Sequence, residues 1–149
     1  MSERNSNCTI AVDVMGSDKG PTEFVRALVY LKSQESLHSD LILVGRKKLI
    51  ERMIAVKDRY LQKERLEILD ASEVISMDEK PIAALKQKKD SSMLKAIELV
   101  KSKRADAMVS RGNTGAMMAG GTLRLRPIEG VERPALAAII PSKKDPFIF

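Results

Sequence analysis

Cysteine, histidine and aromatic residues are scarce in this chain, and tryptophan is absent. Cys8 is the one cysteine in 149 residues, so no internal disulfide can form and a reducing, cytoplasmic setting is expected. Cys8 opens the first apolar run, which predicts a buried structural thiol rather than a nucleophile. The single histidine, His38, lies in a polar link and reads as solvated. No Cys/His constellation suggests a metal. The two tyrosines and three phenylalanines do not interleave with basic residues, so no stacking platform for single-stranded nucleic acid is visible. No apolar stretch approaches the ~18 residues of a membrane-spanning helix. The polar segment from Met1 to Asn7 lacks the apolar centre of a signal peptide. Also missing are a phosphate loop ending in Gly-Lys-Ser/Thr, a Gly-x-Gly-x-x-Gly fingerprint and a Gly-x-Ser-x-Gly nucleophile elbow.

What remains is an ordinary globular composition, 44% hydrophobic and 31% charged, with a net charge of +6. The cations are scattered among 20 acids. The densest clusters, Arg46-Lys-Lys48, Lys86-Gln-Lys-Lys89 and Lys101-Ser-Lys-Arg104, fall near helix ends and read as solvated faces. No nucleic-acid partner is expected.

Apolar runs alternate with helical patterns along the chain. Strands are predicted at Cys8 to Val14, Asp40 to Gly45, Leu66 to Asp70, Ala105 to Ser110 and Ala135 to Ile140. Helices are predicted from Pro21, over Arg46 to Val56, Pro81 to Leu85 and Ser91 to Arg104, and from about Gly115 to Leu125. Ala71 to Met77 has no clear periodicity. Met108, Met117 and Met118 read as core. The alternation predicts an α/β fold, a mainly parallel sheet with helices on both faces. Right-handed crossovers would leave the loops after strands one and four on one edge of that sheet. Phe147-Ile-Phe149 reads as an interior strand with no turn or polar tail after it. Residues 1–149 are therefore read as the N-terminal portion of a longer domain.

The stretch Ser110-Arg-Gly-Asn-Thr-Gly115 is the most informative. A strand feeds a glycine-rich loop and the loop feeds a helix. Gly112 and Gly115 allow close backbone approach, and Asn113 and Thr114 can cap the helix and still offer polar atoms. The N–H groups and positive dipole of the helix start suit phosphate or another oxyanion. In Met15-Gly-Ser-Asp-Lys-Gly-Pro21, Gly16 and Asp18 can position a substrate and Lys19 can attract an anion; a plain strand-to-helix turn explains them equally well. Asp13 ends strand one, where an unpaired carboxylate is costly to bury, so it should have a partner such as Lys19 or a loop N–H. Asp90 or Ser91 caps the next helix, and Ser91, Ser92 and first-turn amides can form an oxyanion cradle with Lys89 beside it. Arg133, before Pro134, is extended and can reach an anion or a turn carbonyl.

Six segments in order strengthen this reading: 11–21, 42–45, 71–78, 88–93, 105–116 and 130–136. Together they closely resemble the PlsX family, the phosphate acyltransferases of bacterial phospholipid synthesis, over about the N-terminal half of the family's length. The resemblance implies a fold like phosphotransacetylases and isocitrate/isopropylmalate dehydrogenases. It implies transfer of a long-chain fatty acyl group from acyl carrier protein to inorganic phosphate, with no organic cofactor. It further implies a cytoplasmic homodimer peripheral to the membrane, with a glycerol-3-phosphate acyltransferase downstream. On this reading Asn113, Thr114 and Asp13 are the candidate catalytic residues. Ser91, Ser92, Gly112 and Gly115 would bind phosphate; Gly16, Asp18, Lys19 and Arg133 would position substrate. Lys19 stands where the family usually has histidine, and Arg111 where it usually has alanine. Alternatives are a short-chain acyl-coenzyme A:phosphate acyltransferase and an inactive anion-binding or dimerisation module.

Overall fold

The computed structural model describes residues 8–17, 19–33, 38–57, 65–141 and 147–148. Four strands, β1 (Thr9–Asp13), β2 (Asp40–Gly45), β3 (Leu66–Asp70) and β4 (Ala107–Ser110), form one all-parallel sheet in the order β3-β2-β1-β4. Between and after them run α1 (Pro21–Ser33), α2 (Lys47–Lys57), α3 (Pro81–Gln87), α4 (Ser92–Lys101) and α5 (Thr114–Leu125). The expected α/β architecture is present, with helix boundaries within a few residues of the periodicity.

Alternation along the strands sorts the core into two faces. Ala11, Ile42 and Val44 point to one side and pack with Ala96 and Leu99 of α4. Val12, Leu41 and Leu43 point to the other and pack with Leu28 of α1 and Ile50 of α2. Strands buried on both faces need continuous apolar runs, which Leu41-Ile-Leu-Val44 supplies. Full burial of Leu43 is worth roughly 1.5–3 kcal/mol. A third cluster joins α3, α4 and α5 through Leu85, Met93, Ile97 and Ala116. Thus β1 feeds a helix on one face and β4 feeds a helix on the other.

Four expectations change. Cys8 is exposed rather than buried, because it precedes β1 instead of lying within it. The strand expected over Ala135 to Ile140 shrinks to β5 (Ile139–Ile140), outside the main sheet. It pairs antiparallel with β6 (Phe147–Ile148), where Ile148 is exposed, so this is no interior strand; Phe149 lies outside the described residues. Met118 is exposed, whereas Met108 and Met117 pack against the core. Residues 71–77 make a parallel bridge, Glu73 to Ser91, and otherwise run as irregular backbone along the mouth of the sheet.

Candidate functional site

Strand order reverses between β1 and β4. Successive strands β1, β2 and β3 are laid to one side, and β4 is added on the other. In open parallel sheets such a switch leaves a crevice outside the carboxyl ends of the strands. The loops that leave β1 and β4 meet there.

Their meeting is built on Asp13 and Ser110, the last residues of the two strands and register partners. Asp13 is 5% exposed. Its Oδ1 accepts the N–H groups of Met15 (3.2 Å) and Gly16 (3.1 Å), which turns the loop back over the strand end. Its Oδ2 accepts the Ser110 hydroxyl at 2.8 Å. The Ser110 Oγ in turn accepts the Gly112 N–H at 3.0 Å. One buried carboxylate therefore ties both glycine loops together. The expected partner of Asp13 is a loop N–H, not Lys19, which is exposed. Gly16 and Gly112 are in backbone contact: a Cβ on Gly16 would lie 2.9 Å from the Gly112 Cα. Gly20, at φ +63°, closes the first loop in the left-handed region.

Asn113 builds the opposite wall. As N-cap of α5, its Oδ1 accepts the Ala116 N–H at 2.9 Å. Its Nδ2 donates to the carbonyls of Ser76 (3.1 Å), Met77 (3.2 Å) and Glu79 (2.9 Å). The whole carboxamide is thus engaged in holding residues 76–79 against the helix start. Lys88 supports the same segment, donating to the Val74 carbonyl and the Glu79 carboxylate, both at 2.6 Å. The Lys88 hydrogen bond, with help from the Ser76 N–H, holds the Glu79 carboxyl below its ordinary range. A crevice of about 430 Å³ opens between Met15, Gly16 and Ser17 on one side and residues 74–78 on the other.

Thr114 begins α5 and is exposed, and Gly115 follows with Pro81 of α3 close against it. Among the described residues, the N–H groups of Thr114 and Gly115 and the Thr114 hydroxyl have no protein partner. They are the open donors of this helix start. Arg111, between Ser110 and Gly112, is exposed beside them. The Gly112 N–H, by contrast, is taken by Ser110.

The serine pair divides. Ser91, fully buried, is the N-cap of α4, its hydroxyl accepting the Leu94 N–H at 3.4 Å. Ser92 gives its N–H to the Glu73 carbonyl at 3.2 Å, but its hydroxyl, 1% exposed, has no partner among the described residues. Asp90 is not the cap. It accepts the Ser72 hydroxyl at 2.6 Å and the Ser72 N–H at 2.8 Å, and pairs with Lys95 at 2.5 Å. These contacts, Lys95 foremost, hold its carboxyl far below the usual aspartate range. Lys89 is exposed, its Nζ turned to the Leu85 carbonyl. Arg133 lies in the wholly exposed stretch 123–141, and no described hydrogen bond or ion pair joins it to the crevice. Asp18 lies outside the described residues. The sequence reading missed Ser110 and Lys88. Ser110 had one signal: a hydroxyl ending the strand next to the one that ends in Asp13.

Residues 8–149 match the sequence model of a family described as fatty acid synthesis protein. The phosphate acyltransferase of Clostridium kluyveri is 43% identical over 139 residues, covering 93% of this chain and 40% of that protein. That of Clostridium botulinum is 44% identical over 140 residues, covering 93% of this chain and 41% of the relative. That of Heliobacterium modesticaldum is 46% identical over 133 residues, covering 89% and 39%. The chain therefore spans about 40% of the length of the curated relatives it matches.

Proposed function

Because the chain belongs to the fatty acid synthesis protein family, we propose that it serves as a phosphate acyltransferase. The group moved is a long-chain fatty acyl group, from acyl carrier protein to inorganic phosphate, giving acyl phosphate for phospholipid synthesis. A phosphate oxygen attacks the thioester carbonyl carbon. The new C–O bond forms, the C–S bond breaks, and the carrier leaves as a thiol that takes up the proton of hydrogen phosphate. The nucleophile is the substrate itself, so the protein must orient a dianion and shelter a developing oxyanion.

The observation that carries this reading is the pairing of a rigid floor with open donors. Asp13, Ser110 and Gly112 fix the two loops, and the Thr114 and Gly115 N–H groups stand unpartnered beside them. Phosphate on that helix start would meet the positive end of the α5 dipole. The Thr114 hydroxyl adds a neutral donor, and Arg111 and Lys19 add positive potential at the mouth. The Ser92 hydroxyl, buried and without a partner among the described residues, is another polar group, at the start of α4, that the fold leaves unmatched. Asp13, Asn113 and Ser91 position the loops and helices around the anion. The same reading carries a cytoplasmic homodimer touching the membrane peripherally, with a glycerol-3-phosphate acyltransferase consuming the product.

The test supplies labelled phosphate and long-chain acyl carrier protein and follows free thiol and acyl phosphate. Turnover that falls on the order of 100-fold in Thr114→Val supports the site. Preference for a short-chain coenzyme A thioester would favour the phosphotransacetylase-like alternative. Phosphate binding with no thiol release would favour an anion-binding module. Failure to bind phosphate at all sinks every one of these.

A further inference from the structure

A larger open concavity, about 880 Å³, lies on the same edge of the sheet, at the carboxyl ends of β2 and β3. Arg46, Lys47, Lys48 and Arg52 line it, with Leu49, 37% exposed, among them. Its acids are already engaged or outnumbered: Asp70 Oδ1 accepts the Lys47 N–H at 2.8 Å, and Glu51 stands 3.9 Å from the Lys47 ammonium. Arg46, Lys48 and Arg52 have no carboxylate partner among the described residues. The arrangement works against the helix that bears it. The first turn of α2 holds no acid, and cations there oppose the macrodipole. The Asp70 carboxylate on the Lys47 N–H offsets part of that placement, against four cations lining the concavity.

We propose that this basic concavity docks an acidic protein surface, namely the face of the carrier that presents the acyl thioester. The proposal rests on the function argued above. Charge complementarity is the first argument, since unpaired guanidinium and ammonium groups around an exposed leucine give the Arg-rich, centrally apolar character of a protein interface. Shape is the second, because a flat bilayer does not enter a concavity and the patch has no broad apolar face to insert. Position is the third. Gly45 ends β2, and a Cβ there would lie 2.6 Å from the Met15 side chain, which also lines the crevice. Gly45 directly precedes Arg46, so a residue adjoining the concavity touches one that lines the crevice, and a carrier seated on α2 would lie on the same edge of the sheet as the proposed phosphate site.

The test reverses the charge with Arg46→Glu/Lys48→Glu/Arg52→Glu. Acidic residues suit a helix start, so circular dichroism should report an intact fold. Affinity for acyl carrier protein is measured by fluorescence anisotropy at low and at physiological salt, with phosphate binding followed in parallel. The expected result is at least a tenfold loss of carrier affinity, a flattened salt dependence and unchanged phosphate binding. A milder Arg46→Gln/Arg52→Gln variant should fall between. Unchanged carrier affinity in the reversed variant would overturn the proposal. So would capture of the parent chain by phosphatidylglycerol vesicles but not by carrier. Charge-dependent carrier binding without acyl transfer would leave the docking surface standing and remove the enzymatic reading; transfer with charge-indifferent binding would do the reverse.

Discussion

Replacing Gly16 with alanine tests the junction on which the crevice depends. The added Cβ would sit 2.6 Å from Asp13 Oδ2, 2.9 Å from the Gly112 Cα and 3.0 Å from the Gly112 nitrogen. Comfortable carbon contacts begin near ~3.5 Å, so gaps of half an ångström or more must open. Two of the three neighbours are backbone atoms and cannot rotate aside. Either the β1 loop lifts from the β4 loop, or Asp13 turns away and leaves the Met15 and Gly16 N–H groups buried without an acceptor. Overpacking of this kind costs about 1–3 kcal/mol, and each buried donor left unmatched costs about 1–3 kcal/mol. Loss of glycine's freedom in the unfolded chain returns roughly 0.4–1 kcal/mol. The net is a destabilisation of about 2 kcal/mol, or roughly 4–8 °C in Tm for a domain of this size. Urea unfolding read by circular dichroism measures it as a lower midpoint at constant slope. Gly121→Ala is the matched control: it lies within α5 and its Cβ would meet nothing within 4 Å. That variant should gain roughly 0.5–1 kcal/mol. A Gly16→Ala midpoint at or above the parent's, with Gly121→Ala behaving as expected, would refute the contact between the loops.

Two further outcomes follow from the same geometry. Asn113→Ala removes the α5 cap, worth about 1 kcal/mol, and also the donor shared by three carbonyls. Asn113→Asp keeps the cap and sets a carboxylate against those carbonyls. Hydrogen exchange should therefore show residues 74–79 loosened in both variants but the start of α5 loosened only in the alanine variant; protection of 74–79 equal to the parent's would contradict the assignment. Asp90 titrates lower in the folded chain than in the unfolded one, because Lys95 and Ser72 stabilise its carboxylate. Its contribution is complete above the unfolded value of about 4 and is lost as pH falls below that toward the folded value, with Glu79 adding the same sign. The urea midpoint should drop between pH 5 and pH 2.5, and Asp90→Asn should flatten that slope; an unchanged slope in the variant would remove Asp90 as its source.

Local patterns made the four-stranded sheet legible because each strand and helix carries its own period. Leu41 to Val44 is apolar on both faces and sits in the sheet interior, and Pro21 starts α1. Asp13 was legible too, since a carboxylate at the end of a buried strand demands donors. What stayed hidden is held by tertiary contacts alone. Residues 71–79 have no period because their path is set by Lys88 and Asp90 from one other segment and by Asn113 from another. Composition alone could not show that Asn113 is fully engaged, or that Ser91 is sealed while Thr114 stays open. Ala135 to Ile140 has the composition of a strand, but its apolar side chains find no covering layer among the described residues, and only two of them join a ladder.

Arg111 and Lys19 gain meaning from this division. The resemblance drawn from the sequence implies alanine and histidine at these two positions, so the larger or charged side chains here raise the question of whether they block the crevice. Arg111, however, stands between two anchored neighbours: Ser110, bonded to Asp13, and Gly112, pressed on Gly16. The clamp fixes the backbone on either side and leaves the Arg111 side chain exposed. Lys19 is likewise exposed, and its N–H donates to the Ser17 hydroxyl at 3.3 Å. Neither side chain is packed into the floor, so on the proposed function their charge would lie at the mouth and attract anions rather than displace one. Because the Asp13–Ser110 bond locks the loops from below, changes of charge at positions 19 and 111 are expected to leave the Thr114 and Gly115 amides in place.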